Sequence, residues 1–212
     1  MRVHCPHFSS IRFVHIPLPF YTQVGNAIAD ILFGAVNPSG RLTFTMPNEE
    51  NEQRMTQSQW PGLPASNPAV SEYSEGLFFG YRWYDANSVA PLFPFGHGLS
   101  YTTFAYSNLQ LYAGKLQLQF DLANTGTVDG AEVWQLYLGF PASAGEPPKV
   151  LRGFNKVHLY AGGKTTEYYT LTDRDLSIWD ASAHAWSRVH GVFSVYIGAS
   201  SRDVRLHATL DV

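Results

Sequence analysis

Apolar and polar residues alternate strictly through the second half of the chain. Lys115–Asn124 sets Leu116, Leu118, Phe120 and Leu122 on one side, with Lys115, Gln117, Gln119 and Asp121 on the other. That is the period of a half-buried strand. Glu132–Gly139 places Trp134, Leu136 and Leu138 opposite Val133, Gln135 and Tyr137, so both faces of this strand are expected to be covered. Val150–Tyr160, Thr165–Leu171, Val192–Ile197 and Val204–Leu210 read as further strands. Phe193, Val195 and Ile197 share one face, as do Val204, Leu206, Ala208 and Leu210. Asn124-Thr125-Gly126 and Asp129-Gly130 mark turns between them. About seven short strands in about 100 residues suit an antiparallel, immunoglobulin-like β-sandwich. Its expected core is Leu116, Phe120, Trp134, Tyr137, Phe193 and Val195.

The first half has a mixed pattern. Ile28, Ile31 and Leu32 recur at helical spacing, supported by Ala27 and Ala29, and predict a helix over Val24–Phe33 capped by Gly34. Asn37-Pro38-Ser39-Gly40 is a turn. Arg41–Pro47 then alternates Leu42, Phe44 and Met46 inward, which predicts a strand ended by Pro47. A helix–turn–strand unit of this kind belongs to an α/β layer. Asn48–Pro68 is polar and turn-rich and reads as a long surface loop anchored by Trp60. Glu72–Asp85 is rich in aromatic residues and reads as extended. Pro91–Phe104 holds two glycines around His97 and two prolines, so it is neither helix nor central strand. Its Leu92, Phe93, Phe95, Leu99, Tyr101 and Phe104 make it an ordered connector that packs its rings between two bodies. The division expected is 1–23 as an atypical N-terminal segment, 24–90 as a partial α/β segment, 91–103 as connector and 104–212 as sandwich.

Composition narrows the function classes. The 212 residues are 45% hydrophobic and 15% charged, which supports a packed core in one or two domains. A net charge of −3 gives no electrostatic case for nucleic acid or an anionic membrane, and neither partner is expected. No apolar run approaches the roughly 20 residues of a spanning helix. Cys5 is the sole cysteine, so no internal disulfide forms. Arg12, His15, Pro17 and Pro19 break the apolar stretch that a signal peptide needs, and none is read. His4-Cys5-Pro6-His7 lacks a second ligand pair at zinc spacing, so it is read as chance composition and no metal site is expected.

The run Pro94-Phe95-Gly96-His97-Gly98-Leu99-Ser100-Tyr101 resembles the connector of family 3 glycoside hydrolases, the β-glucosidase and β-xylosidase family. Gly25–Gly34 followed by Asn37–Leu42 is similar to the last helix and strand of that family's α/β sandwich domain. Glu75-Gly76 with Gly80-Tyr81-Arg82 is similar to the stretch before its connector. Asn124-Thr125-Gly126, Gln135-Leu136-Tyr137, Leu151-Arg152-Gly153-Phe154 and Asp175–Asp180 resemble its fibronectin type III-like domain, in matching order. Met1–Tyr21 does not fit the pattern, and the resemblance implies a chain that begins inside a domain. It also implies that the catalytic Asp and the acid/base Glu lie on segments upstream of the helix, so no catalytic residue is assigned. The family is often secreted; the compartment of this chain stays open.

A retaining glycosidase needs two carboxyl groups roughly 5 Å apart. Glu72, Asp85, Asp173, Asp175 and Asp180 are expected to be solvated or to cap turns. Glu75 and Arg82 are the candidates for substrate binding, because they sit among aromatics; an ion pair holding the segment is preferred over sugar contact. His97 lacks a partnering nucleophile and is expected to bond backbone; Ser100 lacks a nucleophile setting. No cofactor motif appears. The expected function is therefore the C-terminal fragment of a β-glucosidase-like hydrolase, inactive alone. The alternatives are a carbohydrate-binding or adhesion module using exposed aromatics, and a scaffold docking on a separate catalytic chain.

Overall fold

Residues 20–60 and 70–212 are described in the computed structural model. The chain divides into two compact units between Val36 and Asn37. The first holds helix α1, Phe20–Leu32. It starts earlier than its apolar spacing predicts and ends as expected. Phe33 N–H donates to Ala29 O at 2.9 Å, Gly34 N–H to Ile31 O at 3.1 Å, and Gly34 turns the chain at φ +78°. Met1–Tyr21 and its His4-Cys5-Pro6-His7 run lie almost wholly outside the described residues.

Among the described residues the second unit is built on nine antiparallel strands: β1 (Phe104–Tyr112), β2 (Gln117–Asn124), β3 (Gly130–Gly139), β4 (Val150–Leu159), β5 (Lys164–Thr170), β6 (Ser177–Asp180), β7 (Ala185–Arg188), β8 (Val192–Gly198) and β9 (Val204–Asp211). β1-β2-β5 form one sheet and β4-β3-β8-β9 the other, with β6-β7 a separate hairpin. The mainly β, immunoglobulin-like antiparallel sandwich read from the alternation is thus the fold. β2 buries every second residue. Leu118, Phe120 and Leu122 meet Trp134, Leu136 and Leu138 of β3 and Phe193, Val195 and Ile197 of β8. Phe120 stands edge-on to Trp134 at 5.4 Å between centroids, and Tyr106 stacks on Phe120 at 5.9 Å. The indole N–H of Trp134 donates to Glu167 Oε2 at 3.0 Å, so this buried ring leaves no polar atom unmet.

Two core expectations change. Leu116 lies just outside β2 at φ +50° and is only half-buried. Tyr137 is fully buried, but on the outer face of β3 rather than in the inter-sheet core. There a third layer covers it. Helix α2, Tyr81–Ala86, lays Tyr81 edge-on to Tyr137 at 5.8 Å and against Phe95 of the connector at 4.9 Å. Gln135 donates to Gly96 O at 3.2 Å and Ala199 O at 2.8 Å, and accepts from the Tyr137 hydroxyl at 2.6 Å. A Cβ on Gly96 would collide with the Gln135 amide, and Gly96 also sits at φ +80°.

Α2 replaces the extended reading of Glu72–Asp85. Gly80, at φ +54°, starts it, and Tyr81 and Tyr84 fall on one buried face. Their aromatic β-propensity yields to burial, which such scales mostly measure in any case. Arg41–Pro47 is not a regular strand either. It forms one bridge, Met46 with Phe93, and lies along the connector through Leu42 N–H to His97 O at 2.8 Å and Gly96 N–H to Leu42 O at 2.7 Å. Thr45 is buried while Phe44 is exposed, the reverse of the alternation expected. The prolines and glycines of the connector offer too few ladder groups to keep a strand beside them regular.

This segment is fastened to the sandwich. Asn37 donates to Asp129 O at 2.9 Å and accepts from Tyr101 N–H at 2.9 Å. Arg41 reaches Glu132 of β3 at 2.7 Å, with the two side chains only 10% and 3% exposed. Tyr106 O–H donates to the other Glu132 oxygen at 2.8 Å, and burial beside that carboxylate drives the phenol's pKa up. At the far end Asp85, in the last turn of α2, is held by Lys149 and by Arg202 at 2.8 Å, while Leu151 N–H donates to the Tyr81 hydroxyl oxygen at 2.9 Å.

Candidate functional site

The loop that leads from the fastened segment to α2 folds on its own side chains. Asn51, at φ +53°, grips Met55 twice: Nδ2–H donates to Met55 O at 2.9 Å and Oδ1 accepts Met55 N–H at 2.8 Å. Between them Arg54 is held at φ +55°, a conformation that an L side chain with a Cβ rarely adopts. Gln59 closes the next turn. Its Oε1 accepts from Thr56 N–H at 2.8 Å, and its Nε2–H donates to Glu75 Oε2 at 2.9 Å. Glu72 N–H to Ser58 O at 3.0 Å ties the two limbs together. Tyr84 O–H donates to Glu52 Oε2 at 2.6 Å; with Asn48 this bond holds the Glu52 carboxyl below its usual range, while burial, and then the neighbouring carboxylate, push the phenol up.

The result is a cleft of about 200 Å³ bounded by Gln53, Arg54 and Gln59 on one side and Glu75, Phe78 and Trp83 on the other, with Met55 at its edge. Met55 also borders a second hollow of about 430 Å³ beside Glu50 and Trp60. Of the two candidates from sequence, Glu75 lines the cleft. Arg82 does not; its guanidinium lies over the rings of Phe79 at 5.3 Å and Tyr81 at 5.6 Å. Among the described residues the two form no ion pair, contrary to expectation: Glu75 is engaged by Gln59, and Arg82, itself in α2, lies over the Phe79 and Tyr81 rings. Arg82 is instead an electrostatic neighbour of Glu146, whose carboxyl is pushed up by burial and pulled back by Arg152 and Arg82. Gln53, Arg54, Gln59 and Trp83 were not singled out by sequence. Their only signal was the Asn and Thr at turn-forming spacing in a long loop.

The aspartates weighed from the sequence are engaged structurally, Asp85 by Lys149 and Arg202 as above. Asp173 pairs with Arg188, Asp175 caps Thr172 at 2.8 Å, and Asp180 accepts from Ser182 N–H at 2.8 Å. Glu72 contributes its backbone N–H to the loop. His97 stacks on Phe93 at 5.0 Å, and Ser100 O–H donates to Asn37 Oδ1 at 3.1 Å. Trp179 and Trp186 face each other across the β6–β7 hairpin, 50% and 43% exposed, but their rings are inclined by 57° and Arg174 covers Trp186 at 3.1 Å. They clamp a hairpin rather than lay out a coplanar platform. Among the described residues no cluster of three or more His, Cys, Asp or Glu side chains suits a metal ion, and no helix is long and apolar enough to cross a membrane.

Two family models match the chain: the glycosyl hydrolase family 3 C-terminal domain over residues 19–101 and the fibronectin type III-like domain over 132–201. Probable beta-glucosidase D of Aspergillus niger is 40% identical over 90% of the chain, which covers 27% of that protein. Probable beta-glucosidase L of Aspergillus terreus is 41% identical, with 90% and 28% covered. Among solved structures, beta-D-glucoside glucohydrolase from Trichoderma reesei superposes with a TM-score of 0.77 at 37% identity, covering 90% of this chain and 29% of that one. Beta-glucosidase 3B from Thermotoga neapolitana, in complex with α-D-glucose, gives 0.80 at 36% identity, with 90% and 27% covered. The chain spans just over a quarter of the length of the curated relatives it matches.

Proposed function

We infer, for a chain that belongs to family 3 of the glycoside hydrolases and carries the C-terminal part of that architecture, a non-catalytic role in a β-glucosidase-like enzyme. In this reading residues 24–90 close an α/β sandwich domain, 91–103 connect, and 104–212 form the fibronectin type III-like domain. The 212 residues brace a catalytic portion, supplied by another segment or chain, that holds the nucleophile and the acid/base. Together they hydrolyse β-glucosides; these residues alone do not. The observation that carries this reading is the pair of family matches on a chain that spans about 27% of its relatives. The engagement of Asp85, Asp173, Asp175 and Asp180 in ion pairs and turns supports it, because a retaining mechanism needs two carboxyl groups facing one bond.

The test is a chromogenic β-glucoside assay of the purified chain between pH 4 and 7. No turnover above the buffer rate is expected. Turnover that vanishes in Glu75→Gln would overturn the reading and put a catalytic carboxyl in this chain.

A further inference from the structure

We propose that the cleft between the Gln53–Gln59 turn and the Glu75–Trp83 segment binds one pyranose ring of a neutral β-glucoside. The proposal rests on the reading above only for the class of sugar. The cleft's volume of about 200 Å³ is below the roughly 300–1,000 Å³ of pockets for drug-sized ligands, so a single ring fits. Its lining combines what a sugar presents. Phe78 and Trp83 offer rings to the apolar C–H face. Gln53 and Glu75 offer acceptors to hydroxyls, and Gln53, the second amide hydrogen of Gln59 and Arg54 offer donors. One carboxylate and one guanidinium leave the lining without a net charge, which favours a neutral ligand over an ion.

The polar groups are fixed in advance. Gln59 is held through Thr56 and presents its amide to Glu75 Oε2, leaving Glu75 Oε1 without a partner among the described residues. Arg54 is locked at φ +55° by the Asn51 grip, with its own N–H on Asn51 O at 2.7 Å. The adjoining hollow of about 430 Å³, which shares Met55 and includes Trp60, gives room for the second ring of a disaccharide.

The experiment titrates the full 212-residue chain with cellobiose, followed by amide NMR shifts. Saturable shifts confined to residues 53–59 and 75–83 are expected, with a dissociation constant on the order of millimolar. Glu75→Gln keeps the shape of the side chain but removes the charged acceptor, and should weaken binding by roughly tenfold. Gln59→Leu, which removes the amide that orients the Glu75 carboxylate and donates into the cleft, is the second variant and should weaken it comparably. Shifts at the Trp179–Trp186 hairpin instead, no saturation, or unaltered binding by both variants would overturn the proposal. Turnover in the glycoside assay would sink the non-catalytic reading without touching this one. Failure of cellobiose to bind, in a chain with no turnover, would sink this one alone.

Discussion

Arg41→Met tests how the segment before the loop is fastened to the sandwich. The substitution keeps most of the apolar stem and removes the guanidinium that meets Glu132 at 2.7 Å. Glu132, on a strand buried on both faces, then retains a single bond, from Tyr106 O–H at 2.8 Å. Removing one partner of a buried ion pair costs about 3–5 kcal/mol, since the remaining charge is stranded. The Tyr106 bond puts the expected loss near the low end, about 3 kcal/mol. The native pair is itself imperfect, because Arg41 Nε and Nη1 have no hydrogen-bond partner among the described residues. Adding Glu132→Gln to Arg41→Met should therefore recover most of the loss, leaving a net cost of about 1 kcal/mol. Guanidinium unfolding of the wild type, both single variants and the double variant at pH 7 gives the coupling energy directly. Amide exchange at Leu42 and Gly96, which bond across the segment and the connector, reports whether this part opens before the sandwich does. An Arg41→Met loss below about 1 kcal/mol with unchanged exchange at both amides, or a double variant equal to the sum of the singles, would refute the reasoning.

Two further outcomes are expected. Phe120→Ala should cost about 3–5 kcal/mol in denaturant melts, because the ring is fully enclosed between Tyr106 and Trp134; a loss below about 1 kcal/mol would break the assigned register. Asp121 accepts from Asn108 Nδ2–H at 2.7 Å, Thr166 O–H at 2.7 Å and Lys164 at 3.0 Å, which lowers its pKa from the usual 3.8 to about 2. The folded state thus favours the ionised form, and the gain is complete above pH 3.8 and lost as pH falls through about 2. Asp121→Asn should melt lower than wild type at pH 6, with the gap closing below pH 2; a gap that is constant with pH would refute the assignment.

The alternation along the chain determined the sandwich. Leu118, Phe120 and Leu122 in β2, and the double-faced run of β3, are local signals that depend only on which side of a strand meets the core. That 91–103 forms neither helix nor regular strand was equally legible, since its prolines fix φ and remove donors while Gly96 permits a positive φ. The family motifs were legible in the same way, as fixed residues at fixed spacing. Tertiary structure decided the rest. A six-residue aromatic stretch such as Tyr81–Ala86 has no period long enough to separate helix from strand, and burial of Tyr81 against Tyr137 and Phe95 chose the helix. Tyr137 was legible as buried but not as lying under a third layer, because a strand pattern cannot say what covers its second face. Arg41–Pro47 carried a strand's alternation, yet its neighbour is a proline- and glycine-broken connector that cannot complete a ladder. Of the cleft only Glu75 was legible, as a carboxylate among aromatic residues. Gln53, Arg54, Gln59 and Trp83 reach it through side-chain grips such as Asn51 on Met55 and Gln59 on Glu75, bonds between separate limbs of a loop that no periodicity encodes.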